Sequence, residues 1–547
     1  MSESDPRTGS GGTPPLVDAV VVGGGHHGLV AAAMLADAGW EVIVAEASGQ
    51  VGGAVASRTV TVARDDGPDE RWTQDDFSAF HPLAKVSPAL ERLDLAGHGL
   101  RWSTAPTPLA HVASADDPGA RIATDAAITA AALDADHPGD GDAWLGLVEQ
   151  WRRIRRPLMR SLLGSWPPVS DPIALIRTLG LAGLGDFARF LLLPVHRMAA
   201  ELFGGSQGPN ILAGNALHAD IPLDAPGSGL FGWMMAMLAQ DVGMPAPVGG
   251  AGQLAAALRS RAESAGAQIQ LNAPVVAVRT SAGRATGVML ADGRSIRARR
   301  AVIANTSAPA LFTSLLPPEA LTERFRRRLA RFAWDLPTVK INLRLSAPIP
   351  WRADAARGAA VLHLGHDLPS GLRWAGDVES GTLPRRPFAL AGQMTTVDAT
   401  RSPAGTETFW AYAHLARGPY QPEAARSTIA GLDDLLAELA PGVHDLVVDR
   451  LDQTPELIEA TNANAHRGAV GGGTMQLFQQ AVFRPIPGLG GPRTPVERLY
   501  LGSAAIHPGG GVHGACGALA ARAALADARI PGRARVVTAV QRRLQGG

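Results

Sequence analysis

The sequence predicts an α/β chain in which a nucleotide-binding unit is interleaved with a second, α+β unit. Three observations carry that prediction. An apolar strand near the start runs into a glycine-rich turn and a helix, a second glycine-rich turn near the end runs into a helix of very small residues, and long apolar, helix-prone stretches separate the two. At 547 residues the chain exceeds the ~250–300 residues of one hydrophobic core, so two or more packed units are expected.

Residues 1–16, MSESDPRTGSGGTPPL, are polar and rich in Ser, Gly and Pro without an apolar core, and read as a disordered leader rather than a signal peptide. Val17-Asp-Ala-Val-Val-Val22 is a β-branched strand, Gly23-x-Gly25-x-x-Gly28 follows at once, and Leu29 to Ala38 has helix-forming composition stopped by Gly39. Strand, glycine turn and helix in that order form a Rossmann-type unit. The glycines let the backbone approach a pyrophosphate, which rests on the positive end of the helix. Glu46 closes the next strand at the distance past Gly28 where a carboxylate accepts from a ribose hydroxyl. His26 and His27 are expected to shape the loop rather than to catalyse. Val51-Gly52-Gly53 follows soon after, a second place where backbone can crowd a phosphate, which favours FAD over NAD. Gly183-Leu-Gly185-Asp-Phe-Ala188 repeats the glycine letters without a preceding strand or a following acid, so no NAD(P)H site is expected there.

Further along, the organisation reads as follows. Residues 17–110 form the first part of the FAD-binding unit, and 111–245 the helical, apolar first part of a substrate unit. Residues 246–310 return to the cofactor unit, with short strands joined by Asp-Gly-type turns suggesting a small antiparallel extension. The substrate unit resumes over 311–485 with strand-like stretches at Thr338–Leu345 and Thr408–Ala413. Residues 486–530 close the cofactor unit, and 531–547 form a tail. In the closing part, the strand Leu499–Gly502 leads through Ser503-Ala-Ala-Ile-His-Pro-Gly-Gly-Gly-Val-His-Gly514 into a helix of tiny residues. The start of that helix would stabilise the negative charge of a reduced flavin.

Composition narrows the function classes. Lys+Arg and Asp+Glu are both 50, which argues against a nucleic-acid partner. The single cysteine, Cys516, excludes an internal disulfide and a dithiol relay and fits a reducing, cytoplasmic setting. No run reaches ~18 uncharged apolar residues, so no membrane span is expected. Residues 151–200 carry Arg152, Arg153, Arg155, Arg156, Arg160, Arg177, Arg189 and Arg197 against only Asp171 and Asp186. Interleaved with Leu, Phe and Trp, they suggest peripheral contact with the inner face of a membrane.

Taken together, Asp18-Ala-Val-Val-Val-Gly-Gly-Gly-His-His-Gly-Leu-Val30, Val51-Gly-Gly53, Thr338-Val-Lys-Ile-Asn342, Phe483-Arg-Pro485 and Leu499 to Ala515 carry a resemblance. The chain resembles the phytoene dehydrogenase-related FAD-dependent oxidoreductases over nearly its full length. It is most similar there to the group named for a pyridine nucleotide-disulfide oxidoreductase domain and to the O-type carotenoid ketolases. The resemblance implies a two-domain FAD fold of the amine oxidase and phytoene desaturase type, with an apolar tunnel reaching the flavin. By the same resemblance, Gly23, Gly25 and Gly28 hold the pyrophosphate, Glu46 the adenosine ribose, Gly52 and Gly53 the diphosphate, and Val275 the adenine. Gly502, Ser503, Gly510, Gly511 and Val512 line the ribityl chain and ring. Ala54 replaces the Arg that often follows the Gly-Gly pair, leaving Arg58 as the nearest substitute, and Ser503 replaces an acid.

Flavin dehydrogenation needs few protein acids or bases. The candidates are Lys340, one of two lysines and similar to the lysine that holds a water near flavin N5 in flavin amine oxidases, with a surface salt bridge as its alternative use, and His507 and His513 beside the late glycines, which either move protons or, the slightly favoured reading, cap the helix. No metal ligands are expected. The expected activity is dehydrogenation of an apolar, isoprenoid or carotenoid-like molecule. The alternatives are ketolase-type oxygenation and a flavin-binding protein with a regulatory role.

Overall fold

The computed structural model describes residues 14–64, 67–165, 183, 185–530 and 532–544. Two seven-stranded sheets organise it. The first runs Val275–Ser281, Arg284–Leu290, Ser295–Ala304, Leu16–Val22, Val42–Ala45, Gln268–Gln270, with Leu499–Leu501 also pairing on Ser295–Ala304. Leu16–Val22 is parallel to both its neighbours and pairs Val22 with Ala304 and Ala45. A strand covered on both faces buries its side chains, which is why Ala19 to Val22 is a continuous apolar run. The hairpin Val275–Ser281 to Arg284–Leu290 and its pairing to residues 295–297 are antiparallel.

The chain therefore enters this sheet three times. It leaves twice to build the second sheet, whose order is Val447–Gln453, Thr338–Leu345, Glu407–His414, Ala389–Gln393, Ala359–Leu364, Thr107–Val112, Ala120–Ile122. That sheet is antiparallel except where Ala359–Leu364 meets Thr107–Val112. Its residues alternate between two uses. Val339, Ile341, Leu343, Phe409 and Ala411 pack beneath the helix Pro422–Leu439 through Leu432, Leu435 and Leu436. Thr338, Lys340, Trp410 and Tyr412 face the other way, into a cavity.

Helices roof that cavity. Ser228–Val242 is apolar almost all round and buried. Asp140–Leu162 packs on it with a stripe of Trp144, Leu147, Val148, Trp151, Ile154 and Leu158, and leaves Arg152, Arg153, Arg156 and Arg160 in solvent. Indole hydrogen bonds from Trp144 Nε1 to Gln240 (3.0 Å) and Trp151 Nε1 to Asp241 (3.0 Å) fix the two helices together. Arg177 and Asp171 lie outside the described residues.

Two boundaries differ from expectation, and the tail carries a helix. Leu16 already belongs to the first strand, and the Arg297 amide donates to the Pro15 carbonyl at 2.9 Å; the rest of the leader, residues 1–13, lies outside the described residues. The second sheet begins at Thr107, a few residues before 111. Over the tail, Arg533–Leu544 is a helix docked by Gln541 on the Arg493 carbonyl (3.0 Å) and by Arg542 on the Pro495 carbonyl (2.8 Å).

Candidate functional site

At the carboxyl end of the first sheet, Gly23 adopts φ 94°, a left-handed conformation that side chains resist. A Cβ on Gly28 would lie 2.1 Å from the Gly23 carbonyl oxygen, and one on Gly25 would lie 2.9 Å from Asn305 Nδ2. Gly23 and Gly28 are required for the turn to close, whereas a side chain at 25 would have to displace the Asn305 amide. The helix His26–Asp37 then starts without a side-chain cap, leaving its first amides unused and its positive end open. Glu46 reaches across: Oε2 accepts from the Gly24 amide at 2.6 Å, and Oε1 from the Ser48 amide at 2.8 Å. Gly52, at φ 130°, donates to the Gly24 carbonyl at 3.0 Å and brings Gly53 against Gly25. Asn305, from the end of Ser295–Ala304, lines the same hollow; sequence reasoning passed over it, although its position after a buried strand was a signal.

The late glycine segment meets this cradle from the other side. Ser503, Gly510, Gly511 and Val512 line the cavity. Gly502 lies behind them, where a Cβ would touch Ile303 and Ala520 at 3.0 and 3.1 Å. A Cβ on Gly517 would sit 1.8 Å from the His27 carbonyl oxygen, so the helix Ala515–Arg529 presses directly on His26–Asp37. Small residues there are a packing requirement.

Four buried imidazoles surround the seam, all made less basic by burial: His26 pushed down to about 4, His27 well below its usual value, His507 to about 4 and His513 to about 3. They are neutral at physiological pH. His513 spends both ring nitrogens on backbone, Nδ1 accepting from the Ala515 amide (3.1 Å) and Nε2 facing the Gly509 carbonyl (3.3 Å). It caps a helix and does not line the cavity, which is the capping use of the two open to it and not the proton-moving one. His507 is also absent from the lining; its ring is turned to the Leu162 carbonyl. Ligand atoms of His27, His513 and Cys516 come within 4.8 Å of one another, a gathering the sequence did not foretell. Burial pushes the Cys516 thiol up to about 12, so it keeps its proton, and with His513 committed to backbone the three close the helix seam.

Lys340 behaves differently. It is buried in the cavity wall, with Nζ 2.7 Å from the Asp75 carbonyl, 3.3 Å from the Phe77 carbonyl and 5.5 Å from the Trp410 ring centroid. Among the described residues no carboxylate pairs with it directly, and burial pushes it down to about 8 against the pull of Asp75 and Asp76. Arg58 does not reach the lining; it binds Asp76 at 2.6 Å, and Asp76 lines the cavity in its place. Val275 opens its strand away from the cavity, shortly after Ala273, whose amide donates to the Glu46 carbonyl at 2.8 Å.

Cradle and cavity form one space of about 360 Å³. From the glycines it passes Lys340 and Trp410 and continues between Met234, Met235, Met244 and Leu390. Its far polar residues, His218, Asp220 and Tyr412, escaped sequence reasoning because they converge from segments nearly two hundred residues apart.

The sequence pattern of the flavin containing amine oxidoreductases matches residues 121–525, and that of an NAD(P)-binding Rossmann-like domain matches residues 21–93. The chain belongs to the flavin containing amine oxidoreductase family. The chain is 29% identical to the pyridine nucleotide-disulfide oxidoreductase domain-containing protein 2 of Rattus norvegicus over 94% of both chains. It is 28% identical to a lycopene-forming phytoene desaturase of a Paracoccus species over 50% of this chain and 53% of that one. In fold it is similar to a putrescine oxidase (TM-score 0.56, 17% identity, 94% of this chain and 99% of the other). An oxidoreductase of Methanosarcina mazei is similar to the same degree (TM-score 0.57, 17% identity, 93% and 100%).

This flavoenzyme family gives the cradle its ligand: the chain is an FAD-dependent oxidoreductase, related to the phytoene desaturases. The residues present fit FAD independently of kinship. Gly28 is held where a Cβ would collide with backbone, an uncapped helix start faces the hollow, and a carboxylate stands at the end of the second strand.

Proposed function

We propose that the enzyme dehydrogenates an apolar, isoprenoid-like molecule. The observation that carries this reading is the cavity itself, which is continuous with the glycine cradle and walled by Phe80, Phe231, Met234, Met235, Val361 and Leu390. FAD held in the cradle supplies a hydride acceptor. The apolar walls hold the reacting C–H bond and exclude water. Neutral His26 and His27 at the cradle bring no competing cation. Removal of two hydrogens as a hydride and a proton leaves the proton to be taken, and Lys340 is the base placed for it. With Nζ held by two carbonyls and its basicity lowered to about 8, it exists in part as the free amine near neutral pH.

Product mass tests the reading. Dehydrogenation gives a product lighter by two hydrogens, whereas a product carrying an added oxygen assigns the ketolase reaction instead.

The exposed arginines of Asp140–Leu162 support a peripheral position on anionic lipid, since that helix packs on the cavity roof Ser228–Val242. No helix among the described residues is long and apolar enough to cross a membrane.

A further inference from the structure

The apolar cavity has one polar pole, and the chain keeps an unfavourable backbone to build it. The helix Gln207–His218 ends with the Asp220 amide donating to the Leu217 carbonyl (3.0 Å) and the Ile221 amide to the Ala216 carbonyl (3.3 Å). This closure puts Asp220 at φ 56°, a left-handed position where glycine is at ease. An aspartate stands there instead, and its side chain lines the cavity.

Its carboxylate has one partner among the described residues, His414 Nε2 at 2.5 Å. His414 is fixed from behind, with Nδ1 3.3 Å from Thr338 Oγ1. On the same strand, Tyr412 turns into the cavity, and its hydroxyl has no hydrogen-bond partner among the described residues. His218 completes the pole, with Nδ1 3.4 Å from His363 Nε2. An acceptor and an unused donor thus sit together at the end of a cavity whose other walls are mostly apolar.

We propose that Asp220 and Tyr412 recognise a hydroxyl group on the otherwise apolar substrate, the hydroxyl hydrogen donating to the Asp220 carboxylate and its oxygen accepting from the Tyr412 phenol. The inference rests on the apolar-substrate reading above. A hydroxyl suits the pole better than an ammonium for two reasons. The Asp220 charge is already opposed by His414, which is drawn toward its protonated form by Asp220 and Asp335. Asp335, bound to the Gly471 and Gly473 amides, is itself pushed up by burial, so the pole holds little surplus negative charge. An ammonium would also leave the Tyr412 donor without an acceptor, whereas a hydroxyl uses both groups.

The test titrates the FAD-loaded protein with farnesol, the matching hydrocarbon farnesene and farnesylamine in the same detergent, following the visible spectrum of the bound flavin. Farnesol should bind about tenfold tighter than farnesene, the effect of a hydrogen bond to a charged acceptor. In Asp220→Gly, which suits the left-handed helix end and should keep its FAD, most of the preference should be lost, leaving only what Tyr412 supplies. Tyr412→Phe should lose part of the preference. Equal binding of farnesol and farnesene to the wild type, a preference undiminished in Asp220→Gly, or tightest binding by farnesylamine overturns the hydroxyl site and leaves the apolar-substrate reading standing. If none of the three perturbs a flavin that remains bound, both fall.

Discussion

A methyl group on Gly28 would lie 2.1 Å from the Gly23 carbonyl oxygen, with no flexible neighbour to give way. Gly28→Ala should therefore strain the turn by about 3 kcal/mol or more and release the cofactor. Flavin absorbance per chain after gel filtration checks this; full occupancy would contradict it. Lys340 gives a prediction in pH. Its amine is lowered from 10.5 to about 8 in the folded protein, so between those values the unfolded chain carries more protons than the folded one. Stability relative to Lys340→Met should rise as pH climbs through that window, by about 3 kcal/mol in total, and the difference should be flat below pH ~7. Urea titrations of both proteins at several pH values measure it. The glycines were legible from the sequence because a missing side chain at fixed spacing has few other uses. The roles of His507 and His513 were not, since a histidine beside a glycine turn reads alike whether its ring faces a cavity or a carbonyl.

Elements far apart in sequence are joined by buried charges. Asp75 closes one strand, and its carboxylate meets Arg401 at 2.7 Å with both side chains at 0% exposure. Asp75 also accepts from Ser57 Oγ and the Ala251 amide, while Arg401 reaches Asp398 and the Pro247 carbonyl. This network ties the cofactor unit to the second sheet beside the Lys340 carbonyl cradle. Arg401→Met leaves Asp75 buried and unpaired and should cost about 3–5 kcal/mol, seen as a lower denaturation midpoint. Arg484 acts as a clasp on the cavity edge, donating to the carbonyls of Ala504 (2.9 Å), Thr474 (2.7 Å) and Gly472 (3.0 Å). The strands of the first sheet were legible as apolar runs and short β-branched stretches, but of the second sheet only Thr338–Leu345, which coincides with its sequence range, and Glu407–His414 were. The pairing of Asp75 with Arg401 was not, because nothing local marks a contact across 326 residues.

Across the whole molecule, the twofold departure of the chain from one sheet to build another places an apolar cavity against a dinucleotide cradle. Composition showed the interruption, but the cavity arises from side chains of both sheets and the roofing helices, and its polar pole had no sequence signature. The exposed face of Asp140–Leu162 makes a prediction at this scale. The protein should float with anionic vesicles and not with neutral ones, and Arg152→Glu with Arg153→Glu and Arg156→Glu should abolish flotation without loss of FAD, each arginine contributing about 1 kcal/mol. Flotation unchanged by the triple substitution would remove the membrane-facing role. The most direct test of the central claim is an anaerobic titration of the FAD-loaded protein with isoprenoids of graded length, reading the flavin band and product mass together. The account predicts bleaching of the flavin with formation of a product lighter by two hydrogens. A flavin that stays oxidised with every isoprenoid, yet bleaches with primary amines, would contradict it.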